Sequence, residues 1–238
     1  MVTTGLSDIV DENYDGRLKN TEVLNLDSKA VRVPIYQNHS QDLRGAVGGF
    51  VANKFITCGG KYNQAASTIK QCYKIGTTNT SHHGTMNKNR YLAAAVVLAD
   101  KVWILGGLDE NNDPLKYTEY IFHNGAQEDG PEMKVPLQAH TSIQINETAY
   151  MVAGGMDSGG ITEQTWVYSN ESGLWVEGPV LNKRRYYHSI GRIRDSVTHK
   201  DYIVVTGGMS EPEFHLKDTE ILEIYGTEWK SGKHLHFL

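Results

Sequence analysis

Four short stretches decide how this chain is read: Phe55-Ile-Thr-Cys-Gly-Gly60, Val102-Trp-Ile-Leu-Gly-Gly107, Tyr150-Met-Val-Ala-Gly-Gly155 and Tyr202-Ile-Val-Val-Thr-Gly-Gly208. Each is an apolar run that ends in a glycine pair. The second glycines are spaced 47, 48 and 53 residues apart. Val2-Thr-Thr-Gly5 is a fainter copy, 55 residues before Gly60. Gly48-Gly49 and Gly159-Gly160 fall out of phase. A fixed period of this length marks a repeat architecture.

Other features recur in the same phase. A polar loop follows each glycine pair, then a strand-like segment. Three of these segments nearly match: Leu18-Lys-Asn-Thr-Glu-Val23, Leu115-Lys-Tyr-Thr-Glu-Tyr120 and Leu216-Lys-Asp-Thr-Glu-Ile221. About ten residues on comes a tryptophan slot, filled by Trp175 and Trp229 and replaced by Val31, Thr80 and Gln127. Gly130-Pro131 and Gly178-Pro179 then mark turns. Arg44, Arg90, Gln138 and Arg185 open the next apolar strand.

Each repeat therefore reads as four short strands, rich in β-branched and aromatic residues and punctuated by Gly, Asn, Asp and Pro. In the third repeat the strands are expected near 91–98, 101–106, 117–122 and 132–136, with Leu98-Ala-Asp-Lys-Val102 as the first hairpin. Helical periodicity is absent. A four-stranded unit must stack on its neighbours to bury its faces, and radial closure does so while limiting free edges. The expected fold is an all-β propeller of four-stranded blades. The repeats span about 1–43, 44–89, 90–137, 138–184 and 185–238.

The pattern resembles the kelch repeat, which carries an apolar strand ending in Gly-Gly, then a Tyr, then a spaced Trp. Met151-Val-Ala-Gly-Gly155 with Tyr168 and Trp175 fits best. Val205-Thr-Gly-Gly208 with Tyr225 and Trp229 follows, and Asp15-Gly16 before Leu18 is a frequent kelch loop form. The resemblance covers nearly the whole chain and implies a kelch-type β-propeller. About five blades are expected, four complete and the first lacking its inner strand. Kelch propellers usually close with six or seven blades. The sequence is thus expected to be either part of a longer propeller or an unusual five-bladed form.

Composition narrows the function. The chain has 238 residues, a net charge of -5, 39% hydrophobic and 21% charged residues, with 24 glycines and 2 cysteines. This can form a real core, and its charge argues against a broad grip on nucleic-acid phosphates. No apolar run reaches the roughly 18 residues that a membrane-spanning helix needs. The N-terminal residues do not read as a secretory signal. Two cysteines rule out a disulfide-dense scaffold. Cys58 and Cys72 are expected as two small buried thiols, because hairpin pairing would set Cys58 opposite residue 68 or 69. Asn38-His-Ser40, Asn79-Thr-Ser81, Asn146-Glu-Thr148 and Asn170-Glu-Ser172 are glycosylation sequons. They tilt an otherwise open compartment slightly toward the extracellular side.

No catalytic, metal or cofactor set is expected. Asp11-Glu-Asn13-Tyr-Asp15-Gly16 with Glu22 matches a calcium-loop spacing. It lacks the flanking helices, however, and Glu22 shares its phase with Glu119 and Glu220. His82-His83 and His234-Leu-His236 lack a third ligand. Nucleophile-elbow and phosphate-loop motifs are missing. Kelch-binding domains use one face, built from the loops after Gly-Gly and the lead-ins to the inner strands. By that resemblance the candidate partner-binding residues are Arg44, Lys61, Arg90, Tyr91, His140, Met156, Arg185, Tyr187, His188 and Met209. Leu6, Leu108 and Gln138 fill related positions. Arginine with aromatics and Met suits an acidic or mixed peptide. The bland alternative is that arginines at the lead-in tie neighbouring blades together. The expected function is a non-catalytic protein- or peptide-binding module. The alternative is a carbohydrate-acting or redox enzyme on the same scaffold, as some kelch propellers are.

Overall fold

The computed structural model describes residues 43–62, 67–75, 80–212 and 214–232, together with the backbone of three short strands near the N-terminus. All regular secondary structure among these residues is β-strand. No helix among them is long and apolar enough to cross a membrane. The calcium-like loop, His234, His236 and the sequons at Asn38 and Asn79 lie outside the described residues.

Four antiparallel sheets follow one another, each of four strands in meander order. The first comprises Val47–Val51, Lys54–Cys58, Gln71–Ile75 and Thr80–Thr85. The next comprises Ala94–Val97, Lys101–Leu105, Thr118–Phe122 and Gln127–Asp129. Then come Thr141–Gln144, Ala149–Ala153, Thr165–Ser169 and Leu174–Glu177. The last comprises Ser189–Arg194, Asp201–Thr206, Thr219–Glu223 and Lys230–Ser231. Ahead of these, Val2–Thr3, Thr21–Leu24 and Arg32–Ile35 form a three-stranded sheet. One expected strand is corrected. The outer strand of the third repeat is Gln127–Asp129, not 132–136, because the tryptophan slot lies on or beside the outer strand and the Gly-Pro turn follows it.

The arrangement is consistent with a β-propeller-like fold. The inner strands at 47–51, 94–97, 141–144 and 189–194 abut in that order, and three apolar clusters fill the gaps between successive sheets. Strand Lys101–Leu105 shows why its sequence is apolar throughout. Val102 and Ile104 face back onto Ile56, Cys58 and Met86, whereas Trp103 and Leu105 face forward onto Tyr150, Val152 and Tyr168. Alternate strand residues point to opposite faces, and here both faces are buried. Trp103 meets Tyr150 and Tyr168 in T-shaped contacts at 5.4 and 5.3 Å, and its indole donates to Thr118 Oγ1. The third cluster joins Met151, Ala153 and Leu181 to Ile203, Val205 and Trp229. The other face of the last sheet is more open, with Tyr202, Val204 and Ile221 half-buried and Ile193 49% exposed.

Main-chain hydrogen bonds stitch the sheets together at their inner ends. Leu92 N donates to Gly45 O at 2.9 Å, Ala139 N to Leu92 O at 2.9 Å, and Tyr187 N to Ala139 O at 3.0 Å. All four residues are left-handed, with φ of 66, 54, 50 and 54°. A second set runs from the glycine pairs to the following repeat: Gly60 N to Arg90 O, Gly107 N to Leu137 O, and Gly155 N to Arg185 O, each 2.8 Å. The pair Gly154-Gly155 shows why glycine is needed. Both residues have positive φ, and a Cβ on Gly154 would lie 2.5 Å from Arg185 O. One on Gly155 would lie 2.6 Å from the His140 Cβ. Only a residue without a side chain fits this backbone approach.

The hydrogen bonds also correct the alignment of the lead-ins. Arg44, Tyr91, Gln138 and Tyr186 are equivalent, because they bridge Lys61, Leu108, Met156 and Met209 in turn. The residues one step earlier are Leu43, Arg90, Leu137 and Arg185. Arg90 and Arg185 are both 0% exposed. Arg90 donates to Glu119 at 2.5 Å and to the carbonyls of Gly106 and Tyr117. Arg185 donates to Glu220 at 2.6 Å and to Gly207 O and Asp218 O. Each carboxylate also accepts two backbone N–H groups from the connector between sheets, at Asn87 and Lys88 or at Asn182 and Lys183. The position of the glutamate is Tyr73 in the second repeat and Trp166 in the fourth. In the four complete sheets arginine and glutamate are therefore present together or absent together, as expected when an unpaired buried charge costs several kcal/mol.

Cys58 and Cys72 form a disulfide, which overturns the expectation of free thiols. The loop after Gly60 makes its own excursion, with Lys61 bridged to Thr68, before the third strand starts. This delay puts Cys72 directly opposite Cys58 in the ladder. The bond closes the loop of the one repeat whose glutamate slot holds Tyr73.

Two outcomes are expected in denaturant titrations. Arg90→Leu should lose about 3–5 kcal/mol, because Glu119 is left buried and uncompensated. Arg90→Leu with Glu119→Trp, the pairing of the fourth repeat, should recover part of that loss. A double variant less stable than Arg90→Leu alone would refute the pairing. Reducing Cys58–Cys72 should cost roughly 3 kcal/mol for a loop of this length, and an unchanged midpoint would refute its stabilising role.

Candidate functional site

The lead-in segments and the residues after the glycine pairs share one end of the sheets. The four left-handed residues sit there in a row, and Tyr187 stands out among them. A left-handed conformation costs a bulky residue about 1–2 kcal/mol, and Tyr187 is 54% exposed. Its amide bond to Ala139 O holds it in this shape and aims the phenol outward. Tyr186 lies against it with ring centroids 4.8 Å apart. Partial desolvation raises the Tyr187 phenol above its ordinary pKa, and the Tyr186 and Tyr91 hydroxyls add to that rise. The Arg44 guanidinium opposes it. The main-chain bonds of Gly45, Leu92, Ala139 and Tyr187 bring the neighbouring residues Arg44 and Tyr91 to the same end of the sheets.

A second group adjoins this one. Lys61 Nζ donates to Asn112 Oδ1 at 2.8 Å, and Tyr91 Oη donates to the same oxygen at 2.7 Å. The ammonium also lies 4.9 Å from the centre of the Tyr91 ring. Asn112 is left-handed at the tip of a loop that Asp109 organises, its carboxylate accepting from Asn111 N and Asp113 N. The loop of the third repeat therefore fixes the lysine of the second. Met156 and Met209 are half-buried beside their bridge partners Gln138 and Tyr186. Arg44 is exposed. Lys61 and Tyr91 are themselves only 9% and 8% exposed, so this end offers the Arg44 guanidinium, the Tyr187 phenol and flexible thioethers. They suit carboxylate and carbonyl acceptors flanked by apolar surface.

Six of the expected contact residues are buried: Lys61 and Tyr91, both turned onto Asn112, and four more with another place. Arg90 and Arg185 lie in the buried ion pairs, with no surface to present. His140 and His188 are equivalent residues wedged between sheets. A Cβ on Gly106 would come within 2.9 Å of the His140 ring, and one on Gly154 within 2.9 Å of the His188 ring. His188 Nε2 shares a 2.8 Å hydrogen bond with Thr141 Oγ1. Its Nδ1 and both nitrogens of His140 lack a well-formed partner. Burial pushes both imidazoles down to about 3, and the Arg185 charge adds to the effect at His188. They are neutral wedges, not ligand contacts. Sequence reasoning missed Asn112, whose position in a polar loop carries no periodic signal. Tyr186, the true equivalent of Arg44, lies in the lead-in 185–189 that sequence reasoning singled out, though not among its candidate contacts.

A cleft of about 180 Å³ opens beside Asn182, Lys183, Asp218 and Glu220. Its carboxylates are already engaged, Glu220 by Arg185 and Asp218 by Lys183.

No protein-family model and no curated protein sequence matches the chain. Solved structures do match, among them that of YjhT. It superposes with a TM-score of 0.73 at 13% identity, covering 94% of this chain and 79% of YjhT. At that identity the likeness concerns the fold alone.

The two histidines predict acid sensitivity. Their folded-state pKa values lie below the ordinary value of 6.5, so the unfolded chain binds protons first as pH falls. Their full contribution is present above pH 6.5 and is lost as pH drops toward 3. Between pH 7 and 4.5 each should remove about 2–3 kcal/mol from the unfolding free energy. His140→Ala with His188→Ala should flatten that slope in urea titrations. A slope unchanged by the substitutions would contradict neutral burial.

Proposed function

We propose that the chain is a non-catalytic, kelch-type β-propeller that binds a protein or peptide at the end where its lead-ins converge. The four complete sheets and the three-stranded first sheet are read as about five blades. The carrying observation is the row of left-handed residues that brings the segments of Arg44, Tyr91 and Tyr187 to one end of the sheets, with Arg44 and Tyr187 exposed there. Tyr187 is kept exposed in a strained conformation, and such strain gathers where side chains are held ready for use. Rigid aromatics with arginine are the residue types that anchor interfaces. An acidic or mixed peptide fits the exposed Arg44 guanidinium beside the aromatic Tyr187. Propeller scaffolds serve many functions, so the reading rests on these residues and not on the fold.

Selection from a displayed random-peptide library tests it. Selected peptides should be enriched in Asp or Glu beside an aromatic or aliphatic residue. Tyr187→Ser with Arg44→Glu should weaken them at least about tenfold, or 1.4 kcal/mol. Affinities unchanged by that pair would place the binding surface elsewhere and overturn the proposal.

A further inference from the structure

Two features untouched by the proposed binding face point to the same chemistry. The first is the disulfide between Cys58 and Cys72, which are 1% and 0% exposed. Such bonds form and persist in oxidising compartments. The second is the hairpin Ser169–Leu174 of the fourth repeat, which contains the sequon Asn170-Glu171-Ser172. Asn170, Glu171, Ser172 and Gly173 are all exposed. The turn closes on a Gly173 N to Ser169 O hydrogen bond, with Gly173 left-handed. The Asn170 amide makes one long contact, donating to Tyr150 Oη at 3.3 Å.

The other described sequon differs. Asn146 Oδ1 accepts from Thr148 N at 2.9 Å and Ala149 N at 2.8 Å, while its amide nitrogen donates to Tyr225 Oη. That side chain shapes its own turn, so a substituent on its nitrogen would displace a native contact.

The strand that leaves the Asn170 hairpin supplies a physical reason for a modification there. Leu174–Glu177 is the free edge of its sheet. Trp175 turns into the core, leaving Leu174 62% and Val176 55% exposed on the opposite side. The outer strands Gln127–Asp129 and Lys230–Ser231 are polar, as free edges usually are to prevent edge-to-edge pairing. Among the four complete sheets, the apolar outer strand is the one that begins at the exposed sequon.

We infer that Asn170 is an N-glycan acceptor, and that the glycan shields the apolar edge Leu174–Glu177 of a chain matured in an oxidising compartment. The donor class is a lipid-diphosphate-linked oligosaccharide. A bond forms from Asn170 Nδ2 to the sugar C1 as the C1–O bond to the diphosphate breaks. The amide loses one proton and the lipid diphosphate leaves.

The test is to secrete the full chain from a glycosylating eukaryotic cell and map its peptides after enzymatic deglycosylation in heavy-oxygen water. Labelled Asp should appear at position 170 in most molecules, far above position 146, and should vanish in Ser172→Ala. The same sample should contain bonded Cys58 and Cys72. The deglycosylated protein should self-associate in light scattering, and Leu174→Ser with Val176→Thr should suppress this. An unmodified Asn170 would overturn the acceptor assignment, and free thiols at 58 and 72 would overturn the compartment. Equal dispersity with and without the glycan would overturn the shielding.

Discussion

The left-handed residue ahead of each inner strand is the constraint on which the rest depends. In this conformation one residue accepts at its carbonyl from the next repeat and donates its N–H to the one before. Gly45, Leu92, Ala139 and Tyr187 form such a relay across four sheets. The relay sets how near the inner strands lie. That spacing in turn demands the glycine pairs and leaves room for one imidazole wedge where a histidine follows, at His140 and His188. It also sets which way Tyr187 points. Fold and candidate site are therefore consequences of the same few main-chain bonds.

Each repeat then secures its third strand in its own way. In the third and fifth repeats a buried arginine–glutamate pair holds the connector and the strand together. The fourth substitutes Leu137 and Trp166, and the second has Tyr73 in the glutamate slot with a disulfide one residue earlier. Buried pairs of this kind stabilise chiefly because either partner alone would be costly. They confer geometry more than net stability, which fits their burial at 0% exposure for both arginines.

Much of the strand order was legible because the strands Lys54–Cys58, Lys101–Leu105 and Ala149–Ala153 are buried on both faces, so apolar runs ending in Gly-Gly recur at a nearly constant spacing. The lead-in was misaligned by one residue at Arg44 and Gln138, since charge type was matched where backbone role decides. Arg90 and Arg185 read as binding residues for the same reason: an arginine beside a strand looks alike in sequence whether its partner is a ligand or Glu119. The disulfide was not favoured because the bridge between Lys61 and Thr68 shifts the pairing, and loop length does not reveal such a bridge. Asn112 and Tyr187 owe their roles to positive φ and to contacts with other repeats, such as Lys61 and Ala139, which no local pattern records.

Amide hydrogen exchange at Leu92, Ala139 and Tyr187 tests the relay most directly. If these three bonds hold the sheets together, the amides should exchange as slowly as those of the core strand Lys101–Leu105 and open with it in one cooperative event. Exchange at the rate of the exposed hairpin amides near Glu171 would contradict the account, because the inner ends of the sheets would then be joined by packing alone.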